Sequence, residues 1–249
     1  MANPQAGAQS KIYAGGYDLS DFLRNFDISR SRAEVDITTF GDVIANDHWT
    51  RHLPLLRSST VSMDGLFGGN DAINLDELDD RFNVIFNAAP GTNTQFTFCL
   101  AGDVLGNAAI GVPAVSSAYD LSAPVDGVIA ATAAIMSNGR ADRMTIIHIL
   151  GPETAAGNGA TSDNSVSTSD GAAGIVHVTA FSGTTATVSV NHSSDNFVGN
   201  NVALLTFPAI TAARVGHRVE ATGTVNRYTR WVVAGTFTSI TFQLAWGRR

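Results

Sequence analysis

Apolar residues in this chain recur at every second position, in short runs separated by Gly, Ser, Asn and Asp, and that period specifies half-buried strands. Val35 and Ile37 alternate with Glu34, Asp36 and Thr38. Val61, Met63 and Phe67 share a parity opposite Ser62 and Asp64. Phe96, Phe98 and Leu100 alternate with Gln95, Thr97 and Cys99. Each run can bury one face and leave the other wet, because strand side chains point to opposite faces in turn. The expected fold class is therefore all-β with one packed α-helix.

The helix is expected at about 71–88. Asn70 or Asp71 can cap it by accepting an orphan backbone N–H, and Pro90 with Gly91 end it. Ile73, Leu78, Phe82, Ile85 and Phe86 fall near one face. Asp76, Glu77, Asp79 and Asp80 lie on the others, the earlier ones near the favourable N-terminus.

A small, polar, turn-rich stretch from 151 to 174 reads as a linker or long loop. It suggests a first domain at 1–153, a linker at 154–173 and a second domain at 174–249. Residues 1–150 carry 9 basic and 17 acidic side chains; residues 151–249 carry 6 and 5. The second unit offers Val176, Val178 and Ala180, then Ala186, Val188 and Val190, with Ser182–Thr185 between them as a hairpin turn. Further strands are expected at 202–207, 218–222, 227–233 and 237–246, which suggests a small sandwich or jelly roll.

The net charge of −7 argues against a basic nucleic-acid reader, which needs clustered positive charge. The single Cys99 excludes an internal disulfide and a multi-cysteine zinc site. No apolar run approaches the ~18 residues of a membrane span. The start, MANPQAGAQSK, is polar rather than a signal peptide, so the expectation is a soluble protein that folds in a cytoplasm.

No nucleophile elbow, P-loop or dinucleotide fingerprint occurs. His48 and His52 are spaced i, i+4 beside Asp47 but lack the intervening Glu of a zinc helix. Residues 68–76 faintly echo a calcium-binding nonapeptide, and one copy cannot stack the turns that pattern requires. The carboxylates at 76–80 read as a solvated helix face rather than a hydrolytic pair. Asp163 to Asp170 fits no EF-hand spacing. The expectation is no catalytic residue, no cofactor and no metal: not an enzyme.

No Lys or Arg lies between Arg81 and Arg140. Within that span, residues 115–139 are mostly Ser, Ala, Val and small turns, with Asp120 and Asp126 as the charges and Tyr119 as the aromatic. A buried hairpin would look like this. So would a surface past which nucleic acid must slide, with no cation for phosphate and almost no ring for bases.

Three stretches carry a family resemblance: DISRSRAEVDITTFGD with HLPLLRSSTVSMDGLF (27–67), SAYDLSAPVDGVIAATAAIMSNGRADRMTIIH (117–148), and GIVHVTAFSGTTATVSVNHSSDNF with LLTFPAIT, HRVEATGTVNRYTRWVV and LAWGRR (174–249). In that order the chain resembles the major tail tube proteins of long-tailed, non-contractile (siphovirus-type) bacteriophages, with a C-terminal β-sandwich module. The resemblance implies a tail-tube β-sandwich or barrel, and a structural virion protein forming a homohexamer whose rings stack into the viral tail tube. It implies DNA ejection through an anionic lumen. Implied partners are further copies of the chain, the tape-measure protein and DNA held without sequence specificity, and other tail proteins at the tube ends. Asp120, Asp126 and Ser117 are the lumen candidates. The loop at 41–57, with Asp47, His48, Trp49, Arg51 and His52, is expected to reach the neighbouring ring, and the arm at 2–11 to order on assembly. Residues 172–249, absent from simpler members, are expected outside the tube as decoration. A rival reading makes them a module binding host-surface glycans through Trp231, Trp246 and Tyr228.

Overall fold

In a computed structural model the chain is described at residues 9–37, 52–67, 78–89 and 92–249. Among the described residues it is all-β with one α-helix. In chain order the elements are β1 (Lys11–Ala14), β2 (Tyr17–Asp18), β3 (Leu23–Asp36), β4 (His52–Leu66), α1 (Leu78–Phe86), β5 (Thr94–Cys99), β6 (Ala108–Ser122) and β7 (Ala130–Ser137). There follow β8 (Asp142–Glu153), β9 (Gly157–Asn158), β10 (Ser162–Asp163), β11 (Ala172–Ser193), β12 (Val202–Thr206), β13 (Val215–Ala221) and β14 (Tyr228–Arg248).

The strands form one continuous antiparallel sheet whose main path runs β12-β11-β14-β8-β6-β5-β1-β2. The long strand β6 divides it. Residues 108–114 pair with β8 and β5, whereas residues 114–122 pair with β7. Beyond β7 the ladder continues to β4 and then β3. The first core fills the space between these limbs: Ile12, Phe96, Phe98 and Val112 meet Val61, Met63 and Ile135, with Phe82 and Ile85 of α1 against them. A second core gathers Val176, Val188, Leu205, Phe242 and Trp246, and a third, between them, holds Tyr13, Cys99, Met144, Ile146 and Ile175. Strand β5 is buried on both faces, because Phe96 and Phe98 enter the first core while Cys99 enters the third. Leu100, at the end of that alternation, is exposed.

Several local expectations change. Ser182–Thr185 is not a hairpin turn: β11 runs straight through it, with bulges at Ser182/Gly183 and Gly183/Thr185. A Cβ on Gly183 would lie 2.4 Å from Phe237 Cα, so glycine is there to let the β11 and β14 backbones approach closely. The strands expected at 227–233 and 237–246 are likewise one element, β14. The stretch at 154–171 lies along the sheet, with β9 and β10 paired to β14. The start of the helix, its cap at Asn70 or Asp71, and Pro90 and Gly91 lie outside the described residues. Phe86 is 48% exposed rather than on the packed face. The buried arc of α1 contains Arg81, Phe82 and Ile85, and the Arg81 guanidinium stacks over the Tyr17 ring at 3.6 Å.

Buried polar clusters at His177 and Asp142 help to join the halves of the chain. His177, fully buried, accepts the Gly16 N–H at Nδ1 (3.3 Å), and its Nε2 lies 2.9 Å from Thr97 Oγ1. Burial lowers its pKa to about 3, so the ring is neutral. Gly16 has φ +89°, and a Cβ there would fall 2.3 Å from Val215 N. Asp142 at the start of β8, 4% exposed, binds the guanidinium groups of Arg218 and Arg249, and Arg140 Nε lies 2.9 Å from it. Arg218 and Arg249 also both engage Glu220, and those contacts hold the Glu220 carboxyl at about 2.

Candidate functional site

The limb β3-β4-β7-β6 is a four-stranded sheet with two distinct faces, and its register shows which residues share each. Successive rows across the four strands are Asn25–Asp64–Thr132–Asp120, Asp27–Ser62–Ala134–Ala118 and Ser29–Thr60–Met136–Val115. The intervening rows, Phe26–Met63–Ala133–Tyr119 and Ile28–Val61–Ile135–Ser116, turn toward the first core. The first set therefore faces away from the core. It holds three carboxylates, hydroxyls, small side chains and no Lys or Arg. Its centre is a shallow trough of about 310 Å³ over Asn25, Asp64, Asp120 and Thr132.

The strand pattern explains why this face stays wet. β4 buries Val61 and Met63 and so must turn Thr60, Ser62 and Asp64 outward. β7, rich in alanine, buries Ala131, Ala133 and Ile135 and presents Thr132 and Ala134. Among the described residues, β3 pairs with β4 alone and residues 115–122 of β6 pair with β7 alone. The sheet thus has an open edge on either side, which a monomer in water leaves as unpaired N–H and C=O groups.

Of the lumen candidates, Asp120 sits on the outward face in the row with Asp64. Ser117 is the extra residue of a bulge between Ser116 and Ala118; it is exposed, and its hydroxyl donates to Ala134 O at 3.0 Å. Asp126 occupies the exposed β6–β7 turn, closed by Gly127 N–H to Pro124 O at 3.4 Å, next to Val125, which is 100% exposed. Asp27 and Asp64 belong to the same face, and sequence reasoning missed them as candidates. The parity of Asp64 was visible against Val61 and Met63; what was missing is the cross-strand register that places it in one row with Asp120, across Thr132.

His52 opens β4, opposite Asp36, while Asp47, His48, Trp49 and Arg51 lie outside the described residues, as does the arm up to residue 8. From Arg30 to Asp36, β3 extends with β4 past the last β4–β7 pair, Thr60 with Met136. This two-stranded ribbon is exposed, including Val35, Leu53 and Leu56. Of the three aromatics proposed for sugars, Trp246 is 3% exposed in the second core. Trp231 lies edge-on to His148 and Phe242, and Arg227 lies 4.9 Å from the ring of the half-buried Tyr228.

No family model and no curated protein matches the chain. Solved structures similar to it include the virion of a native gene transfer agent particle, at 20% identity and TM-score 0.42, covering 56% of this chain and 98% of that one. The SPP1 tail tube is similar at 12% identity and TM-score 0.41, covering 56% of this chain and 78% of that one. The SPP1 Dit protein is similar at 12% identity and TM-score 0.34, covering 96% and 99% respectively.

Proposed function

We propose that the chain is a structural, non-enzymatic virion protein: the subunit of a phage tail tube, in which six copies form a ring and rings stack into a channel for DNA. The observation that carries this reading is the four-stranded sheet with two open edges and a cation-free, carboxylate-bearing outer face. Edge β3 of one copy pairs with edge β6 of the next, which removes the exposed edges and closes a barrel. Six such sheets make a barrel of about 24 strands. At ~4.8 Å spacing and ~40° tilt its backbone diameter is about 48 Å, wide enough for a DNA duplex after side chains are allowed for.

In this arrangement Asp27, Asp64 and Asp120 line the lumen with Ser62, Thr132 and Ser117, and Asp126 lies at the rim between rings. The face offers phosphate no cation and bases no ring, so DNA and the tape-measure protein pass without being held. With −7 per chain, a ring of six carries about −42, which repels a polyanion from the wall. The loop around Asp47, His48, Trp49, Arg51 and His52 reaches the neighbouring ring, and residues 174–249 decorate the outside. Negative-stain microscopy of the purified full chain at high concentration tests the reading. Annuli or hollow tubes are expected; compact monomers alone at every concentration would refute it.

A further inference from the structure

Five of the chain's 15 basic residues converge on one groove. Arg30 and Arg32 of β3, Arg57 of β4, Arg140 in the β7–β8 turn and Arg143 of β8 line a space of about 720 Å³, together with serines, Gly139 and Ala141 and no carboxylate. Arg140 contacts Asp142. Among the described residues, Arg30, Arg32, Arg57 and Arg143 have no ion pair. Arg32 lies directly opposite Arg57 in the β3–β4 register, a like-charge placement that costs a lone hairpin stability. The ribbon bearing these residues is two-stranded and exposed, a form that is marginal by itself in water. Both features make sense if an anion-bearing partner covers the ribbon.

The alternation that puts Asp27 and Asp64 on the outward face puts Arg30, Arg32 and Arg57 on the opposite one, so the groove is not part of the lumen surface. The limb is also polarised along its strands, with Glu34 and Asp36 on the ribbon beyond Arg32 and Arg24 at the opposite end as the opposing charges on β3. Its arginine end lies at Ser59 and Ser137. Seven residues along β7, about 23 Å at the usual rise, lies the β6–β7 hairpin end. There, the exposed tip Asp126 falls in the stretch that contains no Lys or Arg.

Resting on the tail-tube reading, we propose that the arginine groove is the socket for the carboxylate-bearing β6–β7 hairpin end of a second copy, docked head to tail along the strand direction. Complementary ends on one chain form a heterologous contact that propagates as a stack rather than closing on itself. Charge fixes its register and polarity, since two arginine ends or two carboxylate ends repel. Guanidinium groups suit the role because their planar donor fork matches a carboxylate.

The test compares the full chain with Arg32→Glu/Arg57→Glu and with Asp126→Lys by sedimentation velocity and electron microscopy at about 0.1 M NaCl. The double variant keeps a like-charged cross-strand pair, so its melting temperature should stay within about 2 °C of the parent. Each variant is expected to need at least about tenfold more protein to stack, and added salt to weaken stacking of the parent. Stacking of either variant at the parent's concentration would overturn the socket and leave the tube reading standing. A parent that never assembles would overturn both. Parent monomers that bind a fluorescent single-stranded oligonucleotide, with binding lost in the double variant, would assign the groove to nucleic acid and overturn the second-copy occupant.

Discussion

Replacing Asp142 by Asn should destabilise the chain sharply. Asp142 is 4% exposed and is held by Arg218 and Arg249, whose side chains are 12% and 16% exposed. Removing one partner of a buried ion pair leaves the other charge uncompensated and costs about 3–5 kcal/mol. Arg218 and Arg249 keep Glu220, which puts the cost at the lower end, about 3 kcal/mol. For a chain of this size each kcal/mol lowers the melting temperature by roughly 2–4 °C, so Asp142→Asn should melt about 6–12 °C below the parent. Arg140, whose side chain is 61% exposed, is the control. A solvent-screened partner contributes about 0–1 kcal/mol, so Arg140→Ala should move the melting temperature by less than about 4 °C. Scanning calorimetry on the three proteins reads both shifts. An Asp142→Asn melting temperature within 2 °C of the parent would refute the reasoning that this network joins β8, β13 and the end of β14.

Three other outcomes are expected. Asp64→Arg with Asp120→Arg should leave tube assembly intact, since neither residue packs in the core, but particles carrying it should deliver DNA less efficiently; unimpaired infectivity removes both from the lumen. His177, with a folded pKa of about 3 against ~6.5 unfolded, takes up its proton more readily when unfolded. Its stabilising contribution is therefore complete above about pH 6.5 and declines toward pH 3, by at most about 1.4 kcal/mol per pH unit. Urea unfolding of His177→Gln at pH 7, 5.5 and 4.5 should show a shallower acid dependence than the parent, and parallel curves would discount His177. Gly16→Ala must displace Val215 backbone and occupy a left-handed φ, a strain of about 1–3 kcal/mol, read as a lower urea midpoint; an unchanged midpoint contradicts the close approach.

Local sequence pattern made the strands legible but not their partners. Val61, Met63 and Asp64 disclose two faces without any knowledge of the sheet, because alternation is a property of one strand. That Asp64 shares a row with Thr132 and Asp120 depends on register between strands far apart in sequence, and so does the meeting of Arg32, Arg57 and Arg143. Turn chemistry misled at Ser182–Thr185, because a glycine bulge between two long strands uses the same residues as a hairpin turn. On α1 the apolar pattern put Phe86 with Phe82 and Ile85, whereas the buried arc holds Arg81, stacked over Tyr17, and leaves Phe86 exposed.

A cryo-EM reconstruction of the assembled full chain tests the central claim most directly. It should show a hollow cylinder in which β3 of each copy pairs with β6 of its neighbour and Asp27, Asp64 and Asp120 face the channel. An assembly in which those carboxylates face outward, or in which the β3 and β6 edges remain unpaired, would contradict it.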